Sequence, residues 1–298
     1  MKPTFLRRLF LQEDLNFLLT NRVPRQLLTR FMGWFSKIQN PWVCRASIAV
    51  WRLFTDLDLS DAKKQRFVSL HDCFTRELVA GARSIDERAP ILSSPSDAIV
   101  GACGRIEGGT LIQAKGLSYR LQELCGPTQD VRPFLNGSYV TLRLTSAMYH
   151  RFHAPHDGHI DHVTYISGDT WNVNPIALAR VEKLFCRNER AVIRMRVGPA
   201  QHPIALVPVA AILVASIRLH CLNVLLHLRF KGPHEMPVSA DCRKGQELGW
   251  FEHGSTIIVL VPAGFRLASG IAPGQAIRMG QALMELPPAG DFRSDMLL

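Results

Sequence analysis

The chain has 298 residues, 47% hydrophobic and 20% charged, so it can bury a full core, and its length permits one large or two ordinary domains. A net charge of +10 points to an anionic partner, either nucleic acid or an acidic membrane surface. Neither an aromatic ribonucleoprotein motif nor a helix-turn-helix pattern is present, so no nucleic-acid partner is expected. The seven cysteines are scattered and never form Cys-x-x-Cys, which argues against a disulfide framework or zinc ribbon and for a reducing compartment.

Residues 4–80 read as helical. Arg7, Arg8, Glu13 and Asp14 break the first apolar stretch, so no secretory signal is expected, while Phe5, Leu6, Leu9 and Phe10 share one helical face. After Pro24, which suits a helix start, Leu27, Leu28, Phe31, Met32, Trp34 and Phe35 build an apolar face among Arg25, Arg30 and Lys37. A basic amphipathic helix with Trp and Phe fits a membrane interface, and packing on the protein's own core is the competing reading. A further helix carrying Asp61, Lys63, Lys64 and Phe67 is expected to lead into Phe74-Thr75-Arg76.

From about residue 91 the texture changes to short Val/Ile/Leu runs punctuated by Gly, Pro and Asn, with a turn between strands at Leu135-Asn136-Gly137-Ser138-Tyr139. Short helical pieces such as 177–186 interrupt an otherwise β-rich remainder. The apolar run Pro203–Leu228 contains Arg218, His220, Asn223, His227 and Pro208 and is dense in Val and Ile, so two buried strands suit it better than a spanning helix. Lys244-Gly245-Gln246 is echoed by Pro273-Gly274-Gln275 and Gly280-Gln281, turns typical of barrel-sandwich folds, but the carrier lysine between two methionines is missing. The fold class expected is α+β: N-terminal amphipathic helices over 1–80, then a β-rich, barrel-sandwich-like catalytic domain over 81–298.

Two patterns carry chemistry. His150, His153, His156, His159 and His162 recur every third residue, but Pro155 and Gly158 break a helix there, and on a strand residues three apart face opposite sides. No metal site is therefore expected. The other pattern is Gly254-Ser255-Thr256 followed by the apolar run Ile257-Ile258-Val259-Leu260. A serine hydroxyl here can attack the preceding carbonyl, and glycine admits the backbone distortion this needs. An ordinary serine hydrolase is disfavoured, because His253 and Ile257 stand where a nucleophile elbow needs glycines.

The chain resembles the bacterial phosphatidylserine decarboxylases, block by block and in order. The matching segments are Leu28-Thr29-Arg30-Phe31-Met32-Gly33-Trp34, Cys73-Phe74-Thr75-Arg76-Glu77-Leu78 with Gly81-Ala82-Arg83, Ser94-Pro95-Ser96-Asp97 and Gln113-Ala114-Lys115-Gly116. They continue with Tyr149-His150-Arg151-Phe152-His153-Ala154-Pro155, Gly168-Asp169 through Asn172-Val173-Asn174, Phe185-Cys186-Arg187-Asn188-Glu189-Arg190 and finally Gly254-Ser255-Thr256. Departures are His253 where leucine is usual, Ala98 where glycine is usual, and His156-Asp157 after Ala154-Pro155.

The resemblance implies a proenzyme that cuts itself between Gly254 and Ser255, giving a β chain of 1–254 and an α chain of 255–298 whose former serine becomes a pyruvoyl group. It assigns Ser255 as nucleophile, His153 as base and Asp97 as the residue orienting it, with His150 or His153 returning a proton to the product. It further implies decarboxylation of phosphatidylserine to phosphatidylethanolamine through a Schiff base, and a homodimer of processed protomers. The location implied is an anionic membrane surface, on the cytoplasmic face of the bacterial inner membrane. A non-catalytic or unprocessed membrane-binding relative, and a pyruvoyl decarboxylase of another amino-lipid, are the alternatives. Lys115 and Arg76 have no assigned role.

Overall fold

The computed structural model describes residues 14, 17–18, 24–114, 116–213, 216–228, 230–252 and 255–288. The helical face expected of Phe5, Leu6, Leu9 and Phe10 lies outside these residues, as do Lys115, His253 and Gly254.

Two helices lead. The first, Arg25–Phe35, starts after Pro24, and the second, Pro41–Phe54, is capped by Asn40, whose Oδ1 accepts from the Trp42 and Val43 amides at 2.9 and 3.2 Å. Among the described residues no helix is long and apolar enough to cross a membrane. The helix expected around Asp61–Phe67 does not form. Instead the Lys63 amide donates to Glu77 O and the Val79 amide to Asp61 O, both at 2.9 Å, around an antiparallel bridge between Ala62 and Leu78. Long-range backbone pairing therefore wins over local propensity, and the next helix begins only at Leu70–Phe74, just before Thr75.

An eight-stranded antiparallel sheet dominates the rest. Its spatial order is Glu235–Cys242, Gly158–Ile166, Arg190–Val197, His202–Ala210, Ser255–Val261, Ser138–Leu144, Ala98–Arg105 and Ala276–Ile277. A four-stranded sheet, in the order Val224–His227, Ser216–Leu219, Glu247–Phe251 and Arg151–His153, covers one face. Val140, Leu142, Ile193, Ile257 and Val259 meet Phe152, Ile217, Leu226 and Phe251 there. On the other face Val207, Val209, Ile258 and Leu260 meet Leu121, Leu124, Leu184 and Phe185. With both faces covered, central strands read as unbroken apolar runs rather than alternating ones, which explains why all seven residues of Ser255–Val261 are buried.

The apolar run Pro203–Leu228 resolves into three strands rather than two: His202–Ala210, Ser216–Leu219 and Val224–His227. The expected turn at 135–139 is entered from the 3-10 turn Arg132–Phe134, not from a strand. The helical piece at 177–186 is two short helices, Pro175–Leu178 and Leu184–Arg187. Helices followed by several antiparallel sheets make the molecule α+β, as expected. Gly249 has a specific reason: a Cβ there would stand 1.9 Å from the Arg218 carbonyl, so only glycine lets the strand Glu247–Phe251 pass.

Candidate active site

Ser255 is the first residue of its strand, paired with Leu144 on one side and Ala210 on the other. It is fully buried, and its Oγ has no hydrogen-bond partner among the described residues. A buried hydroxyl with no bond to satisfy it is an energetic liability, and it leaves the nucleophile uncommitted. Thr256 Oγ1 is in the same condition.

His153 lies in the strand Arg151–His153, opposite Glu247. Its Nδ1 is 2.9 Å from the Gly245 carbonyl and its Nε2 is 3.0 Å from Tyr149 Oη. A carbonyl only accepts, so Nδ1 carries the proton and Nε2 presents its lone pair, receiving the tyrosine hydroxyl. Burial holds the imidazole below its ordinary value, against smaller upward pulls from Gly245 O, Glu247 and Asp97. The ring is thus a neutral base with a fixed tautomer.

Asp97 sits just before the strand Ala98–Arg105. Through Thr256, Arg143 and Ile99, which align across three strands, it reaches the same end of the sheet as Ser255, two strands away. Its carboxylate is held by Arg83 (Nε at 2.9 and 3.1 Å, Nη2 at 2.6 Å) and by the Met279 amide at 2.9 Å. Arg83 also reaches Asp61 at 2.8 Å, and these ion pairs raise its pKa further. No hydrogen bond joins Asp97 to His153 among the described residues. The link is through the backbone, where the His153 amide donates to Pro95 O at 2.8 Å, and through a cavity of about 540 Å³ that Asp97 shares with Tyr149, Arg76 and Arg83. Arg76 donates to the carbonyl of Ala147, which lines the same cavity, at 2.9 Å.

His150 is fully buried, with Nδ1 2.8 Å from Met148 O and its ring 4.0 Å from that of Phe74. Its carbonyl accepts from the Phe251 amide at 3.0 Å, on the strand that runs toward Ser255. The remaining histidines of the series go to separate partners: His156 to Ala89 O, His159 to Asp241 and His162 to Glu235.

Several groups here carried no sequence signal for a role. Tyr149 was visible only as part of the histidine signature, and nothing local marked the Gly245 carbonyl or Arg83 as partners. Glu189 is wholly buried on the sheet face that Ser255 occupies, with Ala210 between them. Its carboxyl makes no hydrogen bond among the described residues, and burial pushes it up to about 8 despite the nearby Tyr165 hydroxyl.

A buried serine whose Oγ has no partner among the described residues thus begins a central strand, with a neutral imidazole and a carboxylate toward the same end of the sheet. The family model for phosphatidylserine decarboxylase matches residues 70–285, and the chain belongs to that family. It is 32% identical over 288 residues to the phosphatidylserine decarboxylase proenzyme of Shewanella frigidimarina, covering 92% of this chain and 99% of that one. The proenzymes of Methylococcus capsulatus (88% of this chain, 93% of that one) and Haemophilus influenzae (88% and 92%) are each 33% identical to it.

Proposed function

We propose that this chain decarboxylates phosphatidylserine to phosphatidylethanolamine, as a pyruvoyl-dependent carboxy-lyase made as a self-cleaving proenzyme. The observation that carries the reading is Ser255, buried at the head of its strand with an Oγ unbonded among the described residues, inside a chain that matches the family over residues 70–285. These features fit the precursor of the pyruvoyl group. That group, once formed, supplies the electron-withdrawing carbonyl that lets the substrate carboxylate depart as carbon dioxide.

The rest is done by side chains. His153 takes the Ser255 proton at Nε2 once the Tyr149 hydroxyl that donates to that nitrogen gives way, while its Nδ1–H stays on the Gly245 carbonyl. Asp97 supports the resulting imidazolium by its charge, following the logic of a catalytic triad. In the decarboxylation, His150 or His153 returns the proton to the substrate carbon. The cleaved bond is that between Gly254 and Ser255, giving chains 1–254 and 255–298.

The helical region within residues 1–80 is the membrane-associating part of this proposal, and 81–298 the catalytic domain. Trp34, Trp42 and Leu53 are 64%, 77% and 75% exposed, with Leu27, Phe31 and Phe54 also uncovered. Exposed Arg30, Arg45, Arg52 and Lys37 stand among them. Apolar rings set among cations suit the headgroup boundary of an anionic leaflet, where each basic residue gains about 1 kcal/mol. The same layer touches the active-site end of the sheet, since the Leu213 amide donates to Thr29 Oγ1 at 3.2 Å and Arg25 pairs with Asp169 at 2.6 Å. A homodimer of processed protomers at the cytoplasmic face of the inner membrane completes the reading.

Intact mass under denaturing conditions tests it. Wild-type protein should split at 254/255, the smaller fragment blocked by pyruvoyl, and Ser255→Ala should remain one chain and form no phosphatidylethanolamine. His153→Ala should also stay uncut; normal processing in that variant removes it from the base role.

A further inference from the structure

Glu252 stands two residues before Gly254, and its side chain is only 8% exposed. A carboxylate so placed needs partners, and it has two. Lys37 Nζ donates to Oε2 at 3.2 Å, and His71 Nε2 lies 3.1 Å from Oε1 without the alignment of a hydrogen bond. Burial raises the Glu252 pKa, but the His71 and Lys37 contacts outweigh it and hold the carboxyl below its ordinary range.

These partners come from the helical layer. Lys37 follows the helix Arg25–Phe35, His71 lies in Leu70–Phe74, and the His71 amide ties the two together by donating to the Ser36 carbonyl at 2.8 Å. The backbone of Glu252 is fixed as well, its amide donating to Ser216 O at 3.1 Å. On the other side, Ser255 is pinned between Leu144 and Ala210. Only His253 and Gly254 join these two anchored points, so the direction in which the scissile peptide faces Ser255 Oγ depends on how its ends are held.

We propose that Glu252, gripped by Lys37 and His71, is a positioning residue for self-cleavage, and that the helical layer thereby forms part of the processing machinery rather than a docking surface alone. This rests on Gly254–Ser255 being the bond that is cut.

The test follows cleavage of freshly translated full-length chain in a cell-free system, by gel and intact mass. If wild-type protein is not cut at 254/255, the reading beneath the proposal fails. If it is cut there, Glu252→Gln and Lys37→Met should each slow cleavage about tenfold, the scale of a small misplacement. Lys37→Arg should keep the wild-type rate. The double variant should be no slower than the slower single one, because a grip is lost only once. Lys37 is 51% exposed but its partner Glu252 only 8%, so loss of the pair lowers thermal stability to some degree; the melting temperature of each variant is read in an uncut Ser255→Ala background, and cleavage is compared well below it. The proposal is overturned by wild-type cleavage in Glu252→Gln and Lys37→Met, by slowing in Lys37→Arg equal to that in Lys37→Met, or by effects that multiply in the double variant and track lost thermal stability.

Discussion

At the scale of single residues, the proposed base is an imidazole, His153, whose two nitrogens face two different neighbours. The Gly245 carbonyl claims the Nδ1 proton, a role that the triad analogy would give to Asp97, while Asp97 itself is held by Arg83 and the Met279 amide. Asp97 therefore acts on the ring through space, and its upward pull on His153 is among the smaller ones. Burial is the largest influence and lowers the pKa, so the ring remains neutral at pH values where an exposed histidine would be half protonated. The sign follows directly: a base with a depressed pKa stays competent as the medium becomes more acid. The self-cleavage rate of freshly made chain should therefore stay level as pH falls through about 6.5, the ordinary histidine value, and drop only below it. A rate that already halves near the ordinary value would mean that the base is solvent-exposed or is another group.

At the scale of elements, the helix Arg25–Phe35 divides its labour by face. Thr29 is buried against the loop carrying Leu213, whereas Leu27, Phe31 and Trp34 face outward. Phe31→Asp with Trp34→Asp should release the Ser255→Ala protein from anionic vesicles by tenfold or more in a sedimentation assay, since burying charge at the acyl boundary opposes insertion. Undiminished binding would place the membrane contact elsewhere. This face was legible in the sequence because helical periodicity is local, and so was the strand His202–Ala210, because an apolar run containing Pro208 suits a doubly covered strand. The Asp61–Phe67 segment was not legible. Its backbone partners are Glu77 and Val79, and Lys63 and Lys64 reach Glu77 and Asp72 at 2.6 and 2.8 Å, contacts that no local pattern encodes. The site divides in the same way. Ser255, His153 and Asp97 stood out as motifs, but the pairings Arg83–Asp97, His153–Gly245 and Lys37–Glu252 span 14, 92 and 215 positions and exist only once the sheets have closed.

At the scale of the whole molecule, the proposed cut before Ser255 raises the question of what would hold the two resulting chains together. The segment from Ser255 onward, which the proposed cut would make a separate α chain, is not an appendage. Its strand Ser255–Val261 lies between Ser138–Leu144 and His202–Ala210, Ala276–Ile277 pairs with the strand Ala98–Arg105, and Ala282–Glu285 pairs with Ile91–Ser93. Ile257, Ile258, Val259, Leu260 and Val261 are completely buried, facing both cores. At about 1.5–3 kcal/mol for each side chain, their burial is on the order of 10 kcal/mol of gross stabilisation that does not depend on the bond before Ser255. Cleavage at one end of this strand removes none of those contacts. The processed fragments should therefore elute as a single species in native size-exclusion chromatography and separate only in denaturant. Fragments that part in native buffer would mean that the strand beginning at Ser255 is not the shared inner wall of the sheet, and that cutting the chain releases it.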